Sequence, residues 1–189
     1  MGRGEQATVE GCLFQDNSDI NLIVAAAPSA VIRGNTVRMV NNAAFGGMMT
    51  DNFNSPPAEN GVIGNFSCAV MRDNLIDCGG RCHFGIELGP HPWFYLAPNI
   101  FGPMTITANT VGGAAVLINA YGAGTTAGPF AVYDNTFASP CVSGVDFLCM
   151  PVNHTVCSAL NIAPDAVIDR RGETTPVATT HSTVFRGCP

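Results

Sequence analysis

A short motif that ends in asparagine recurs along the chain and constrains the fold more than any other feature of the sequence. Four copies align without gaps: VIRGNTV at 31–37, VMRDNLI at 70–76, TITANTV at 105–111 and AVYDNTF at 131–137. Two weaker copies, TVEGCLF at 8–14 and VFRGC at 184–188, carry cysteine in place of the asparagine. Such repetition indicates an architecture in which each repeat adds one structural unit to the next.

Apolar and polar residues alternate within each copy. The apolar positions are Ile32, Met71, Ile106 and Val132 before the asparagine and Val37, Ile76, Val111 and Phe137 after it; the polar positions between them are Arg33, Arg72, Thr107 and Tyr133. This alternation predicts strands with one buried face. The Gly, Asp or Ala before each asparagine predicts a sharp bend with a left-handed or turn backbone.

A second strand-like run follows each bend. These runs are INLIV at 20–24, GGMMT at 46–50, FGIEL at 84–88, AVLIN at 115–119 and VDFLC at 145–149. The four asparagines lie 39, 35 and 26 residues apart, which is longer and less regular than antiparallel hairpins of about 8–12 residues. The sequence predicts an all-β fold, a right-handed parallel β-helix (solenoid) of about five to six coils. We expect a single domain over 1–189, with regular coils over 7–140 and irregular, cysteine-containing coils over 141–189.

The G-N-T-V and D-N-x-I bends, followed by glycine-rich apolar strands, resemble the right-handed parallel β-helices of the pectin-lyase-like superfamily. The resemblance implies that the repeated asparagines stack into a buried ladder; they are Asn35, Asn74, Asn109 and Asn135. An amide group has the donors and acceptor to satisfy bend backbone groups and a neighbouring repeat, so we interpret them as structural. Cys12 and Cys188 are expected to be small buried substitutes. The polygalacturonase-like signatures N-T-D, G-H-G and R-I-K are missing, so the resemblance carries over no catalytic residues.

Composition excludes several classes of function. All eight basic residues are arginine and the net charge is -6, which rules out lysine chemistry and disfavours nucleic acid as a partner. No stretch approaches the roughly 20 apolar residues of a membrane span. Eight cysteines, an even number, favour disulfides and a secreted or cell-surface location.

The segment from Arg72 to Tyr95 carries the densest set of reactive groups. Glu87 is expected to project outward from its strand, with Asp146 at the equivalent outward position about 10 Å away, two strand spacings. An inverting glycosidase uses two carboxyl groups at a comparable separation. In a lyase, His83 would be the base because its pKa lies nearest neutrality, and Arg81 or Arg72 would balance a uronate carboxylate.

The segment 89–103 is rich in proline and aromatic residues. Trp93 and Tyr95 offer flat faces that pack on sugar rings, so we take them, with His91 and Arg72, as candidate substrate-binding residues. The alternative is that the aromatic side chains only cover a neighbouring coil.

Metal sites are less favoured. Cys78, Cys82 and His83 lack a fourth zinc ligand, so a disulfide between the two cysteines, or from one of them to another coil, is the preferred interpretation. No cofactor is expected; calcium at Asp73 and Asp77 is the weaker alternative.

Two functions remain open at this point. One is a carbohydrate-associated protein that binds an extracellular polysaccharide or other glycan and cleaves it as a lyase or hydrolase. The other is a non-catalytic, adhesin-like or spike-like surface protein, in which Arg33 and Arg72, expected to lack carboxylate neighbours, contact an anion or a partner. No amphipathic capping helix is found at either end, which predicts a longer β-helix or end-to-end docking with a partner.

Overall fold

All the regular structure that the computed structural model describes consists of strands. The structure describes residues 7–24, 28–50, 64–88, 99–101, 103–120, 125–126, 130–137, 158–162 and 168–169. The strands are β1 (Thr8–Glu10), β2 (Leu13–Gln15), β3 (Ile20–Val24), β4 (Val31–Arg33), β5 (Thr36–Arg38), β6 (Ala44–Thr50), β7 (Gly64–Asn65), β8 (Val70–Arg72), β9 (Leu75–Leu88), β10 (Asn99–Phe101), β11 (Met104–Thr107), β12 (Thr110–Ala120), β13 (Thr125–Thr126), β14 (Phe130–Tyr133), β15 (Thr136–Phe137), β16 (Ser158–Ile162) and β17 (Ile168–Asp169). Within these ranges, no helix is long and apolar enough to cross a membrane.

The strands pair in parallel and form three sheets. A six-stranded sheet has the order β1-β4-β8-β11-β14-β17. An eight-stranded sheet contains the path β2-β5-β9-β12-β15, with β3 on β6, β6 on β9, and β16 on β12. A small third sheet has the order β7-β10-β13. The second strand-like runs at 20–24, 46–50, 84–88 and 115–119 are therefore confirmed as strands, whereas 145–149 lies outside the described residues.

The asparagine motif forms the corner between the two large sheets. In each copy the first strand joins the six-stranded sheet and the second joins the eight-stranded sheet. The residue before each asparagine has a left-handed backbone, with φ of 61° at Gly34, 57° at Asp73, 53° at Ala108 and 55° at Asp134. The predicted bend is confirmed, because a left-handed residue turns the chain within a single step.

The prediction of a solenoid is wrong. The strands are parallel, but the two large sheets are arranged as a curled half-barrel rather than as closed coils. The repeated motif encodes two strands and one corner, whereas a closed coil needs a further strand and further corners in every repeat. In the described ranges, the third sheet has only three strands of two or three residues each. The expected number of five to six coils is therefore wrong as well.

The predicted asparagine column is confirmed. The backbone N–H and Nδ2 of Asn35 both donate to Oδ1 of Asn74 at 3.0 Å. Asn74 donates to Oδ1 of Asn109 in the same way, at 3.1 and 2.9 Å, and Asn109 donates to Oδ1 of Asn135 at 3.0 and 2.9 Å. Each Nδ2 also donates to a strand carbonyl; these belong to Val9, Ile32, Met71 and Ile106. The asparagines are therefore structural.

Cys12 occupies the same position as the asparagines but is exposed, so the expectation of a small buried substitute is wrong there. Its backbone N–H donates to Oδ1 of Asn35 at 3.0 Å, and its thiol donates to the backbone carbonyl of Glu10 at 3.4 Å. Cys188 lies outside the described residues.

The main core lies between the two large sheets. The six-stranded sheet contributes a fully buried row and the eight-stranded sheet faces it; members of this core include Ile32, Met71, Ile106, Val132, Val37, Ile76, Val111, Met48, Ile86 and Ile118. A second cluster contains Ile20, Phe45, Met49 and Phe84. Because of the two clusters, every residue of 44–50 and 82–88 is buried, and the sheet is covered on both faces in this region.

Candidate functional site

Three of the predicted catalytic residues lie on β9, in two different environments. His83 is 0% exposed and Glu87 is 1% exposed. Arg81 is exposed, and its guanidinium Nη1 donates to the backbone carbonyl of Asn41 at 3.1 Å. The predicted cation therefore lies at the protein surface, whereas the predicted acid and base are buried.

The expectation that Glu87 projects into solvent is wrong. The prediction assigned Ile86 and Leu88 to the core, and both are in it. The opposite face of β9 is also covered, because Phe84 packs in the second cluster. A carboxyl group in such a place carries a desolvation cost that a solvated one does not.

The His83 side chain lies among aromatic rings. Its imidazole stacks on Phe45 with ring centroids 5.7 Å apart and an interplanar angle of 17°. It also meets the Phe84 ring edge-on at 4.4 Å and 90°. The surroundings fix the orientation of the imidazole and leave no exposed surface for a large substrate.

The neighbours of Glu87 along the sheet differ from the expected ones. Its strand partners are Met49 on β6 and Asn119 on β12, and Asn119 in turn pairs with Asn161 on β16. Two strands from Glu87, where Asp146 was expected, the backbone register therefore places Asn161. Asp146 itself lies outside the described residues, so the carboxylate pair stays a prediction. An apolar-Asn-apolar pattern, present at 118–120 and again at 160–162, was the missed signal.

The polar positions of the repeat form a second column, which we call the outer ladder: Glu10, Arg33, Arg72, Thr107 and Tyr133 are in direct register across the six-stranded sheet. Their side chains are exposed or half-buried, whereas the adjacent row, Ile32 to Val132, is buried. The predicted water-facing role of this row is confirmed.

Each arginine of the outer ladder is paired with a carboxylate. Nη2 of Arg33 lies 2.8 Å from a carboxylate oxygen of Glu10, and Nη1 of Arg72 lies 2.6 Å from Asp73. The Glu10 interaction also raises the pKa of Arg33. The expectation that the two arginines lack carboxylate neighbours is therefore wrong.

Cys78 and Cys82 are both buried and are free thiols, so the disulfide expected at this pair is not formed in this structure. A hydrogen bond to the Cys82 side chain is the largest cause that raises the pKa of the Cys78 thiol well above its usual value, with burial second. The two sulfur atoms are therefore neighbours.

Asp16 is a polar centre that sequence reasoning missed. Its Oδ1 accepts backbone N–H groups from Val40, Asn41 and Asn42 at 2.7, 2.9 and 3.2 Å. These bonds, led by that from Asn41, lower the pKa of the Asp16 carboxyl to about 2. An aspartate followed by a distant N-N turn carries no local sequence signal for this contact, which bridges two repeats.

Metal-binding groups of three or more His, Cys, Asp or Glu side chains are not found in the described parts of the chain. Asp73, a candidate calcium ligand, pairs with Arg72 instead. The calcium and zinc interpretations stay untested predictions. The candidate sugar-binding residues His91, Trp93 and Tyr95 lie outside the described residues.

No protein-family model, curated protein or solved structure matches this chain. The resemblance to the pectin-lyase-like superfamily therefore receives no support from the comparisons.

Proposed function

We propose that this chain is a non-catalytic scaffold whose outer ladder binds a neutral glycan at the cell surface or outside the cell. The observation that carries the proposal is that one set of polar residues is accessible to solvent and another is not. The outer ladder is a water-facing row in register on five paired strands, whereas the acid and base candidates of β9 are buried. A general acid or base has to come within hydrogen-bond reach of its substrate.

The chemistry of the outer ladder suits sugar hydroxyl groups. Arg33 and Arg72 offer guanidinium donors, Thr107 a hydroxyl, and Tyr133 an aromatic face with a hydroxyl at its edge. Parallel strands lie about 4.8 Å apart, so these groups repeat at a spacing comparable with one sugar ring. A linear glycan along the row would meet one polar side chain per sugar unit.

Charge balance favours a neutral glycan over a polyuronate. Each ladder arginine already pairs with a carboxylate, Arg33 with Glu10 and Arg72 with Asp73. These exposed ion pairs are weak, about 0–1 kcal/mol, so hydroxyl groups can share them. A carboxylate-bearing sugar would meet Glu10 and Asp73 as like charges, and the overall charge of -6 adds to that repulsion.

Binding of the full chain to immobilised neutral and anionic polysaccharides tests the proposal. We expect neutral polysaccharides to bind, and Arg72→Gln and Tyr133→Ala each to weaken binding about 2- to 10-fold, from the loss of about 0.5–1.5 kcal/mol per contact. Arg38→Gln is the matched control, because Arg38 is an exposed arginine of β5 that lies off the ladder. The proposal fails if no neutral polysaccharide binds, or if the Arg38 variant loses as much affinity as the Arg72 variant.

A second candidate is the polysaccharide-cleaving enzyme, which one observation favours. His83 and Glu87 are two ionisable side chains buried on the same strand, and buried ionisable groups cluster at active sites. Reducing-end and unsaturated-product assays on the same polysaccharides test this candidate. Turnover that is lost in His83→Ala, Glu87→Ala and Arg81→Ala variants would favour the enzyme, and turnover unchanged in all three would exclude these residues.

A further inference from the structure

A sharp bulge in β9 separates Cys78 from Cys82. Along the partner strand β12, Asp77 pairs with Gly112 and Cys82 pairs with Ala114. Five residue steps of β9 therefore run beside only two of β12, which span about 6.7 Å. Cys78 follows Asp77, so the bulge brings its Cα back toward that of Cys82. A disulfide requires about 4.4–6.8 Å between the two Cα atoms.

Glycines hold the bulge in this shape. Gly79 and Gly80 have φ of 54° and 80°, and Gly113 on the partner strand has φ of 71°. A Cβ atom on Gly79 would lie 2.6 Å from the carbonyl oxygen of Met39, and one on Gly113 would lie 2.7 Å from the Gly79 nitrogen. Tight backbone packing at Gly79 and Gly113 therefore holds the bulge in the shape that brings the two cysteines toward each other.

The side chains complete the arrangement. Both thiols are buried, and Sγ of Cys78 donates to the Phe84 carbonyl at 3.9 Å. The Cys82 side chain is near enough to be the largest cause that raises the pKa of the Cys78 thiol. The residues between them reach solvent, since Gly79 and Arg81 are exposed and Gly80 is half-buried. A small oxidant thus needs only local opening of the bulge to reach the sulfur atoms.

We infer that Cys78 and Cys82 are a reversible dithiol–disulfide pair, oxidised by a small-molecule disulfide such as oxidised glutathione. One cysteine thiolate attacks the glutathione disulfide, forms a mixed disulfide and releases one glutathione thiolate. The second cysteine thiolate attacks the protein sulfur of the mixed disulfide and releases the other glutathione thiolate. The two protein thiols lose two electrons, and their two protons pass to the two glutathione thiolates. This inference is independent of the proposed glycan binding.

Peptide mapping of the folded full chain tests the pair. The protein is incubated with oxidised glutathione or with dithiothreitol, quenched in acid, alkylated under denaturing conditions and digested with trypsin and chymotrypsin. Cleavage after Arg72, Arg81 and Phe84 places Cys78 and Cys82 on different fragments. Only a disulfide can then hold the two fragments together. We expect the fragments to be linked in the oxidised sample and to be separate and alkylated in the reduced sample.

Variants and controls make the outcome decisive. Cys68→Ser removes an exposed cysteine outside the pair and should leave the link intact. Cys82→Ser should abolish the link and leave Cys78 alkylated or joined to glutathione. The wild-type map alone decides the question if this variant does not fold. The inference is overturned if Cys78 and Cys82 both remain alkylated in the oxidised wild type, or if Cys78 is linked to a different cysteine.

Discussion

Replacement of Asn74 by alanine is the most direct test of the asparagine column. The Asn74 side chain makes four hydrogen bonds: Oδ1 accepts the backbone N–H and Nδ2 of Asn35, and Nδ2 donates to the Ile32 carbonyl and to Oδ1 of Asn109. The Asn35 and Asn109 amides retain other partners, at Val9 and at the Asn74 backbone. The buried N–H of Asn35 loses its acceptor, and the carbonyl of Ile32 loses a donor.

The expected loss follows from those two groups. A buried polar group left unsatisfied costs about 1–3 kcal/mol, so the two groups together should lower the free energy of unfolding of Asn74→Ala by about 2–6 kcal/mol. This is a large fraction of the roughly 5–15 kcal/mol that holds a domain folded. Asn135→Ala should cost less, because Asn135 is half-buried and water can replace part of its bonding.

Equilibrium unfolding in urea, followed by far-ultraviolet circular dichroism, measures these differences. Asn41→Ala is the matched control: Asn41 is exposed, and its side chain makes a 3.1 Å bond to Asp16, so its loss should cost less than about 1 kcal/mol. The midpoints should fall in the order control, Asn135 variant, Asn74 variant, with unchanged slopes. An Asn74 variant no less stable than the Asn41 variant would refute the view that the column stabilises the fold.

Three other perturbations have defined outcomes. A Cβ atom on Gly85 would lie 2.5 Å from the Leu117 carbonyl oxygen, whereas one on Gly46 would meet nothing closer than 3.8 Å; Gly85→Ala should therefore destabilise by about 1–3 kcal/mol, and Gly46→Ala, measured in the same urea titration, should change little. Ala108→Gly removes a left-handed alanine that costs about 1–2 kcal/mol, less about 0.4–1 kcal/mol of added chain entropy, so thermal unfolding should occur at the same or a higher temperature; a lower temperature would contradict this. Folding lowers the pKa of Asp16 from 3.8 to about 2, so its stabilisation is complete above about pH 4 and is lost as the pH falls through about 2. Asp16→Asn should flatten the pH dependence of stability in that window, and an unchanged profile would count against the contact.

The corner of the fold could be predicted from the sequence because its determinants are local. The period-two alternation around Asn35 and its counterparts assigns the buried and exposed rows, and the structure bears this out from Ile32 to Val132. The left-handed residue before each asparagine is a property of one position, readable from Gly, Asp or Ala. Closure of the strands into complete coils is not determined locally, because it depends on the segments between the repeats, which share no motif. The solenoid prediction failed for this reason.

The environment of Glu87 was mispredicted although a signal was present. Alternation assigns a side chain to one of two faces, and the outward face was assumed to meet water. Strands buried on both faces instead read as nearly continuous apolar runs, and the neighbouring strand, AFGGMMT at 44–50, is such a run. Reading β6 before β9 would have indicated that Phe45 and Met49 cover the second face, where Phe84 also packs.

The asparagine column and the outer ladder depend on each other through the register of the strands. Each column asparagine follows its ladder residue by two positions, as Asn74 follows Arg72 and Asn109 follows Thr107. A slip of one residue would exchange the buried and exposed rows, and the amide hydrogen bonds oppose such a slip because each joins one defined position to the next. The ladder therefore presents its polar groups at a fixed spacing that the column asparagines help to set. The identity of each ladder residue is then free to suit a ligand. A surface that recognises a repeating ligand needs this freedom.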